Sequence, residues 1–240
     1  MWLLVKLARL LVALLNLPVY GVSALLPKRK DLWLFGSWNG RSFSDNPRHL
    51  LEYVERHRPD VRAVWICRGR RLWDRVRRDG HEAHRMFSPR AYWLTMRAGA
   101  AFSSLHAARD HNRFALAGRT RVVQLWHGTP IKKLGIHDRV YTHDRRSLHS
   151  RLRGLALRLG EVLSPSQRDR CDLFTTATRS QEPLFSEAFG LSPDRVVTTG
   201  YARTDRLLEA RDEPSRTRAV YLPTFRGASG SSYHPLEGFE

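Results

Sequence analysis

Arg121-Val122-Val123-Gln124-Leu125-Trp126-His127-Gly128-Thr129-Pro130 is the stretch on which the reading of this chain turns. Its first six residues make a short apolar run of the kind a parallel sheet buries. The next four break that run with a histidine and a glycine-threonine-proline turn. Ile131-Lys132-Lys133-Leu134-Gly135 follows and reads as the opening of a helix that carries two adjacent cations. A strand ending in such a turn suits phosphate chemistry. Glycine lets backbone approach a ligand, helix-start N–H groups and ammonium groups attract its charge, and imidazole exchanges a proton near neutral pH. On the residues alone, His127 is either a proton acceptor or a structural histidine at a strand end. Lys132 and Lys133 either neutralise phosphate or face solvent.

The flanking sequence alternates strand and helix. Upstream, Asp31 to Gly36 and Val61 to Cys67 read as strands, and Ala100 to Ser104 as a short one. Asn46 to His57 reads as a helix with Asp45 as N-cap, Pro47 in its first turn, and Leu50, Leu51, Tyr53 and Val54 for its buried face. Arg70 to Asp79, ended by Gly80, and Ser88 to Arg97 are two further helices. Downstream, Leu148, Leu152, Leu155, Leu159, Val162 and Leu163 share one helical face. Glu182 to Phe189 reads as helix, Arg195 to Thr199 as strand and Gly200 as turn. Ala210 to Thr217 reads as a linker, Ala219 to Leu222 starts another strand, and Gly227 to Glu240 forms no element. Such alternation predicts an α/β fold with a parallel sheet covered on both faces.

The chain has 240 residues and a formal net charge of +18, an excess that fits a polyanionic partner or an arginine-rich background. No helix-turn-helix, zinc-finger or aromatic-sheet signature accompanies the charge, so no nucleic acid is expected as a partner. Cys67 and Cys171 are too far apart to suggest a disulfide scaffold, and Cys67 lies in an apolar run as a buried thiol would. His81-Glu82-Ala83-His84, His137-Asp138 and His143-Asp144 lack the His-Glu-x-x-His spacing that puts ligands on one helical face, so no metal site is expected.

Met1 to Leu26 is almost wholly apolar. Its uncharged run, Leu10 to Leu26, falls short of the roughly 20 residues that span a bilayer and is interrupted by Pro18. Lys6, Arg9, Asn16, Tyr20 and Ser23 fall on one side of a helical wheel, and Lys28-Arg29-Lys30 follows where anionic headgroups would sit. A helix lying in the membrane interface fits this pattern; a signal peptide and a spanning helix are the alternatives.

Five stretches together resemble the CDP-glycerol glycerophosphotransferase family, the teichoic-acid primases and polymerases of bacterial envelopes. They are Gly40-Arg41 with Ser44-Asp45-Asn46-Pro47; Trp126-His127-Gly128-Thr129-Pro130 with Lys132-Lys133-Leu134-Gly135; Ala188-Phe189-Gly190; Thr199-Gly200-Tyr201-Ala202-Arg203-Thr204-Asp205; and Tyr221-Leu222-Pro223-Thr224-Phe225-Arg226. Ala202 and Thr204 stand where the family usually has proline and asparagine, and Gly227 where it usually has aspartate.

The resemblance implies a Rossmann-like parallel sheet forming the N-terminal half of a GT-B fold, in a family member cut short. The expected layout is a membrane-associated helix at 1–27, an acceptor-side domain at 28–209, and a linker with the beginning of a nucleotide-binding domain at 210–240. The implied activity moves glycerol phosphate, or a related polyol phosphate, from a CDP-linked donor to a membrane-anchored, lipid-linked acceptor in wall-polymer synthesis. His127 is the expected catalytic base, with Gly128, Thr129, Lys132, Lys133 and Arg226 as substrate-binding residues and no cofactor. The expected location is the cytoplasmic face of the cell membrane, with an anionic membrane surface as partner. The alternative is a catalytically silent membrane-bound module that binds acceptor polymer or a partner carrying the second half.

Overall fold

The computed structural model describes residues 11–12, 14–130, 134 and 170–209. Among the described residues there are seven strands: β1 (Arg29–Gly36), β2 (Arg62–Cys67), β3 (Ala83–Arg85), β4 (Ala98–Ser103), β5 (Arg121–Gln124), β6 (Leu173–Thr176) and β7 (Val196–Thr198). They form one sheet in the order β3-β2-β1-β4-β5-β6-β7, and every pairing is parallel. The helices are α1 (Leu17–Leu25), α2 (Asp45–His57), α3 (Arg70–Arg78), α4 (Pro89–Arg97), the single turn α5 (Ala107–Asp110), α6 (Glu182–Phe189) and α7 (Ala202–Glu209). This is the α/β fold with a parallel sheet that the sequence pattern predicts, in the Rossmann-like form that the resemblance implies.

Both faces of the central strands are buried, which is why β1, β2 and β5 read as near-continuous apolar runs. Leu32, Leu34, Val64, Ile66, Ala101 and Val122 pack with Met86 and with Ala91 and Leu94 of α4. On the opposite face Phe35, Trp65, Cys67 and Phe102 pack with Leu51 and Val54 of α2 and Val76 of α3. Burial pushes the Cys67 thiol up to about 12, so it behaves as an inert apolar group. A third cluster joins Trp126, Phe174, Phe185 and Val196 at the β5–β7 end.

The N-terminal helix is pinned to this body. The Ser23 hydroxyl donates to the Ala115 carbonyl at 2.5 Å, and Lys28 Nζ donates to the Ser23 and Met96 carbonyls at 2.7 and 2.5 Å. Burial, then the charges of Arg170 and Arg97, lowers the Lys28 ammonium to about 8. Lys28 therefore turns inward, and only Arg29 and Lys30 of the basic triplet are exposed. Leu11, Val12, Leu14, Leu15, Val22 and Leu25 expose their apolar side chains. Among the described residues, no helix is long and apolar enough to cross a membrane.

Several elements differ from their sequence reading. Ser44, not Asp45, is the N-cap of α2; Asp45 takes φ +68° and its carboxylate is engaged by Trp38 and Arg203 instead. Tyr53 is 54% exposed and leaves the buried face to Leu50, Leu51 and Val54. Strands β3 and β6 and helix α7 have no counterpart in the sequence reading. His81 Nδ1 pairs with Glu55 at 2.6 Å, and His84 Nε2 pairs with Glu82 at 2.8 Å, so the two histidines serve separate carboxylates. The predicted helix at 148–163, linker at 210–217, strand at 219–222 and tail at 227–240 lie outside the described residues, as do both later His-Asp pairs.

Candidate active site at the carboxyl edge of the sheet

From β1 the chain builds outward through β2 and β3, then returns to place β4 on the other side of β1. Connections that leave neighbouring strands in opposite directions open a crevice at their carboxyl ends, where α/β sheets bind ligands. Three loops meet there: Ser37 to Gly40 after β1, Ser104 to His106 after β4, and Leu125 to Pro130 after β5. Among the described residues, the non-glycine residues with left-handed φ are Trp38 (+49°), Asn39 (+60°), Asp45 (+68°) and Trp126 (+54°). All four border this crevice. Each such conformation costs of order 1–3 kcal/mol and persists only where surrounding bonds over-determine it.

Those bonds are identifiable. The wholly buried Asp110 carboxylate accepts from the backbone N–H groups of Asn39 (2.6 Å), Ser104 (3.1 Å) and Leu105 (3.1 Å), which ties the first loop to the second. Burial raises the Asp110 pKa, and the three N–H donors act against that rise. Asn46 secures the third loop, its amide donating to the Leu125 and Trp126 carbonyls at 3.1 and 3.0 Å. Gln124 bridges both sides, donating to the Leu105 carbonyl at 2.6 Å and accepting from the Trp126 N–H at 3.2 Å.

His127 sits on this frame, half-buried, with Nδ1 3.0 Å from the Ser104 carbonyl oxygen. A carbonyl can only accept, so Nδ1 carries the proton and Nε2 of the neutral ring holds a lone pair. The rings of Trp126 and Trp38 lie 4.1 and 5.3 Å from the imidazole and limit its rotation. The result is an oriented imidazole with an accepting nitrogen, the geometry of a general base.

Gly128 and Thr129 continue the same loop. Thr129 is exposed and its hydroxyl accepts from Gln181 Nε2 at 3.2 Å. The structure thus brings His127, Gly128 and Thr129 together, while Lys132, Lys133 and Arg226 lie outside the described residues. Asp110 and Gln181 carry no sequence signal, because their partners are far off in the chain or are backbone groups. Asn46 and Arg203 lie in stretches that carry the family resemblance, but no local spacing announces what they bond. Arg203 donates its backbone N–H to Asn46 Oδ1 at 3.2 Å and its Nη1 to Asp45 at 3.0 Å. Three of the five resembling stretches therefore meet around one crevice.

Comparison with known proteins gives the family and the fold. The family model described as CDP-glycerol:poly(glycerophosphate) glycerophosphotransferase matches residues 19–237. The chain is 25% identical over 225 residues to a teichoic acid glycerol-phosphate transferase of Staphylococcus aureus, covering 87% of this chain and 54% of that one. It is 24% identical over 213 residues to a teichoic acid poly(glycerol phosphate) polymerase of Staphylococcus epidermidis, covering 80% and 27%. The solved wall teichoic acid polymerase TagF superposes with a TM-score of 0.57 at 19% identity, over 87% of this chain and 49% of that one. A variant of it soaked with CDPG gives the same TM-score at 20% identity, over 87% and 50%. The chain spans about half the length of these relatives, or less.

Proposed function

The chain belongs to the CDP-glycerol:poly(glycerophosphate) glycerophosphotransferase family, and from that premise we propose that it transfers glycerol phosphate from CDP-glycerol to a lipid-linked acceptor in wall teichoic-acid synthesis. The acceptor hydroxyl gives its proton to Nε2 of His127 as its oxygen attacks the phosphorus that bears glycerol. A new P–O bond forms, the bond to the CMP phosphate breaks, and CMP leaves with the electron pair. Gly128 and Thr129 line the approach, and Lys132, Lys133 and Arg226 balance phosphate charge. One observation carries the reading: the Nδ1–H bond to Ser104, which leaves Nε2 as an acceptor at the carboxyl edge.

The place of action is the cytoplasmic face of the cell membrane, held peripherally or monotopically. The exposed apolar side chains between Leu11 and Leu25 and the net charge of +18 support this. The packing of Ser23 against Ala115 favours a retained interfacial helix over a cleaved leader.

The test incubates the purified chain with CDP-glycerol and a lipid-linked acceptor and follows CMP. Release that His127→Ala lowers by about a hundredfold or more supports the assignment. Absence of release from the wild-type chain overturns the transferase reading and leaves acceptor binding as the function.

A further inference from the structure

Arg203 occupies a position that helix energetics disfavour. It is the second residue of α7, where the helix dipole is positive and a cation is unfavourable. Its guanidinium nevertheless stays on the crevice side. Nη1 is held by Asp45, whose own side chain is 5% exposed, and the guanidinium carbon lies 5.9 Å from the centre of the Tyr201 ring. Nη2 reaches the backbone next to His127: a Cβ built on Gly128 would come within 3.2 Å of it. Arginine offers five N–H donors, and among the described residues only Nη1 makes a hydrogen bond. Nη2 and Nε are left with their donors unused, on a side chain that is 38% exposed.

We propose that Arg203 is a phosphate-binding residue of this crevice, its free Nη2–Nε edge gripping the oxygens of a phosphate ester brought beside His127. A guanidinium edge matches two phosphate oxygens, and a side chain already fixed by Asp45 and Tyr201 loses little freedom on binding. Gly128 is the residue that permits the approach, since any side chain there would press on Nη2. The assignment rests on the phosphotransfer reading of the site but concerns binding, which is measured without turnover.

The experiment titrates the full chain with glycerol 3-phosphate and, separately, with CDP-glycerol, using calorimetry. Arg203→Ala is expected to weaken binding by about tenfold or more. Arg203→Lys, which keeps a charge for Asp45 but loses the fork, is expected to weaken it several-fold. Arg78→Ala removes one exposed cation at the carboxyl end of α3, toward the amino edge of the sheet, and is expected to leave affinity within about twofold. A loss with CDP-glycerol alone assigns Arg203 to the donor, and a loss with both probes assigns it to a phosphate common to both. If Arg203→Ala does not fold, Arg203→Lys decides by the same measure. Unchanged affinity in the folded variants, an equal loss in Arg78→Ala, or no binding of either probe by the wild type overturns the proposal. Normal binding losses in a chain that releases no CMP would leave Arg203 assigned and the transferase reading refuted. CMP release with affinities insensitive to Arg203 would do the reverse.

Discussion

Asp110 and His111 are adjacent, and the fold buries both beside the crevice. Asp110 converts burial into order, because its two oxygens serve three backbone N–H groups on two loops. Asp110→Ala strands those donors and is expected to cost about 3 kcal/mol or more in urea unfolding. Loss of CMP release in the same variant at a temperature where it remains folded would show that the loops position His127. His111 is fully buried, donates Nε2–H to the Phe102 carbonyl at 3.1 Å, and has no partner for Nδ1 among the described residues. Burial pushes its pKa down to about 4 from 6.5. A histidine depressed in the fold binds its proton more readily when unfolded. Its contribution is therefore complete above pH 6.5 and is lost as pH falls toward 4. Between pH 7 and pH 5 this amounts to about 2 kcal/mol. His49, also lowered by burial, adds to the same slope, whereas the raised Asp110 acts in the opposite sense nearer pH 4. His111→Gln keeps a donor for Phe102 and does not titrate, so its stability should vary much less over that interval. An unchanged slope in the variant would refute the assignment.

At the scale of elements, the central pair β1–β4 tolerates the least change. A Cβ on Gly99 would press on the Arg29 carbonyl oxygen and come within 2.9 Å of Lys30 Cα, both backbone, where the β1–β4 register shifts. Gly99→Ala should cost about 1–3 kcal/mol by overpacking. Gly21 lies inside α1 with nothing within 4 Å of its would-be Cβ. Gly21→Ala should instead raise stability by about 0.5–1 kcal/mol, because glycine pays more backbone entropy in a helix. Opposite signs in one thermal-unfolding series would confirm both readings, and equal signs would contradict one. The same contrast explains which elements were legible in the sequence. β2 and the second half of β1 announce themselves because both sides are packed and nearly every residue there is apolar, while β5 is legible from Val122-Val123 and the Leu125-Trp126 that follow it. β3 is three residues long at the sheet edge, where Glu82 and His84 serve ion pairs, so it has no apolar run to read. β6 is only Leu173-Phe174-Thr175-Thr176, half of it threonine, and the Thr176 hydroxyl is engaged by the Thr178 carbonyl and the Thr198 hydroxyl of β7. His127 was legible because its signal is local: strand, turn and cations lie consecutively. The frame that holds it was not, since Asp45 and Arg203 are 158 residues apart in sequence and meet only through the order of the strands.

For the whole molecule, the distribution of charge and apolar surface defines a membrane test that is independent of catalysis. Two attractions of different range are available. The net charge of +18 draws the chain to anionic headgroups from a distance set by the Debye length, about 10 Å at 0.1 M salt. The apolar side chains at Leu11, Leu14, Leu15, Val22 and Leu25 act only on contact, and added salt does not screen them. Trp93 on α4, 46% exposed with the Arg97 guanidinium 5.6 Å from its ring centre, offers a further amphipathic contact on the helix against which α1 packs. Lys28 contributes nothing at the surface, because its ammonium is spent on the Ser23 and Met96 carbonyls. If the chain lies in the interface, its co-sedimentation with phosphatidylglycerol vesicles should weaken but persist in 0.5 M salt. Leu15→Glu combined with Leu25→Glu should lower the partition coefficient by about tenfold or more, since each change exchanges apolar contact for repulsion by the headgroups. The remaining binding of that double variant should then vanish with salt, because only the screened attraction is left. A wild-type chain whose binding disappears at 0.5 M salt, or a double variant that binds as the wild type does, would refute insertion and leave charge alone as the cause of attraction.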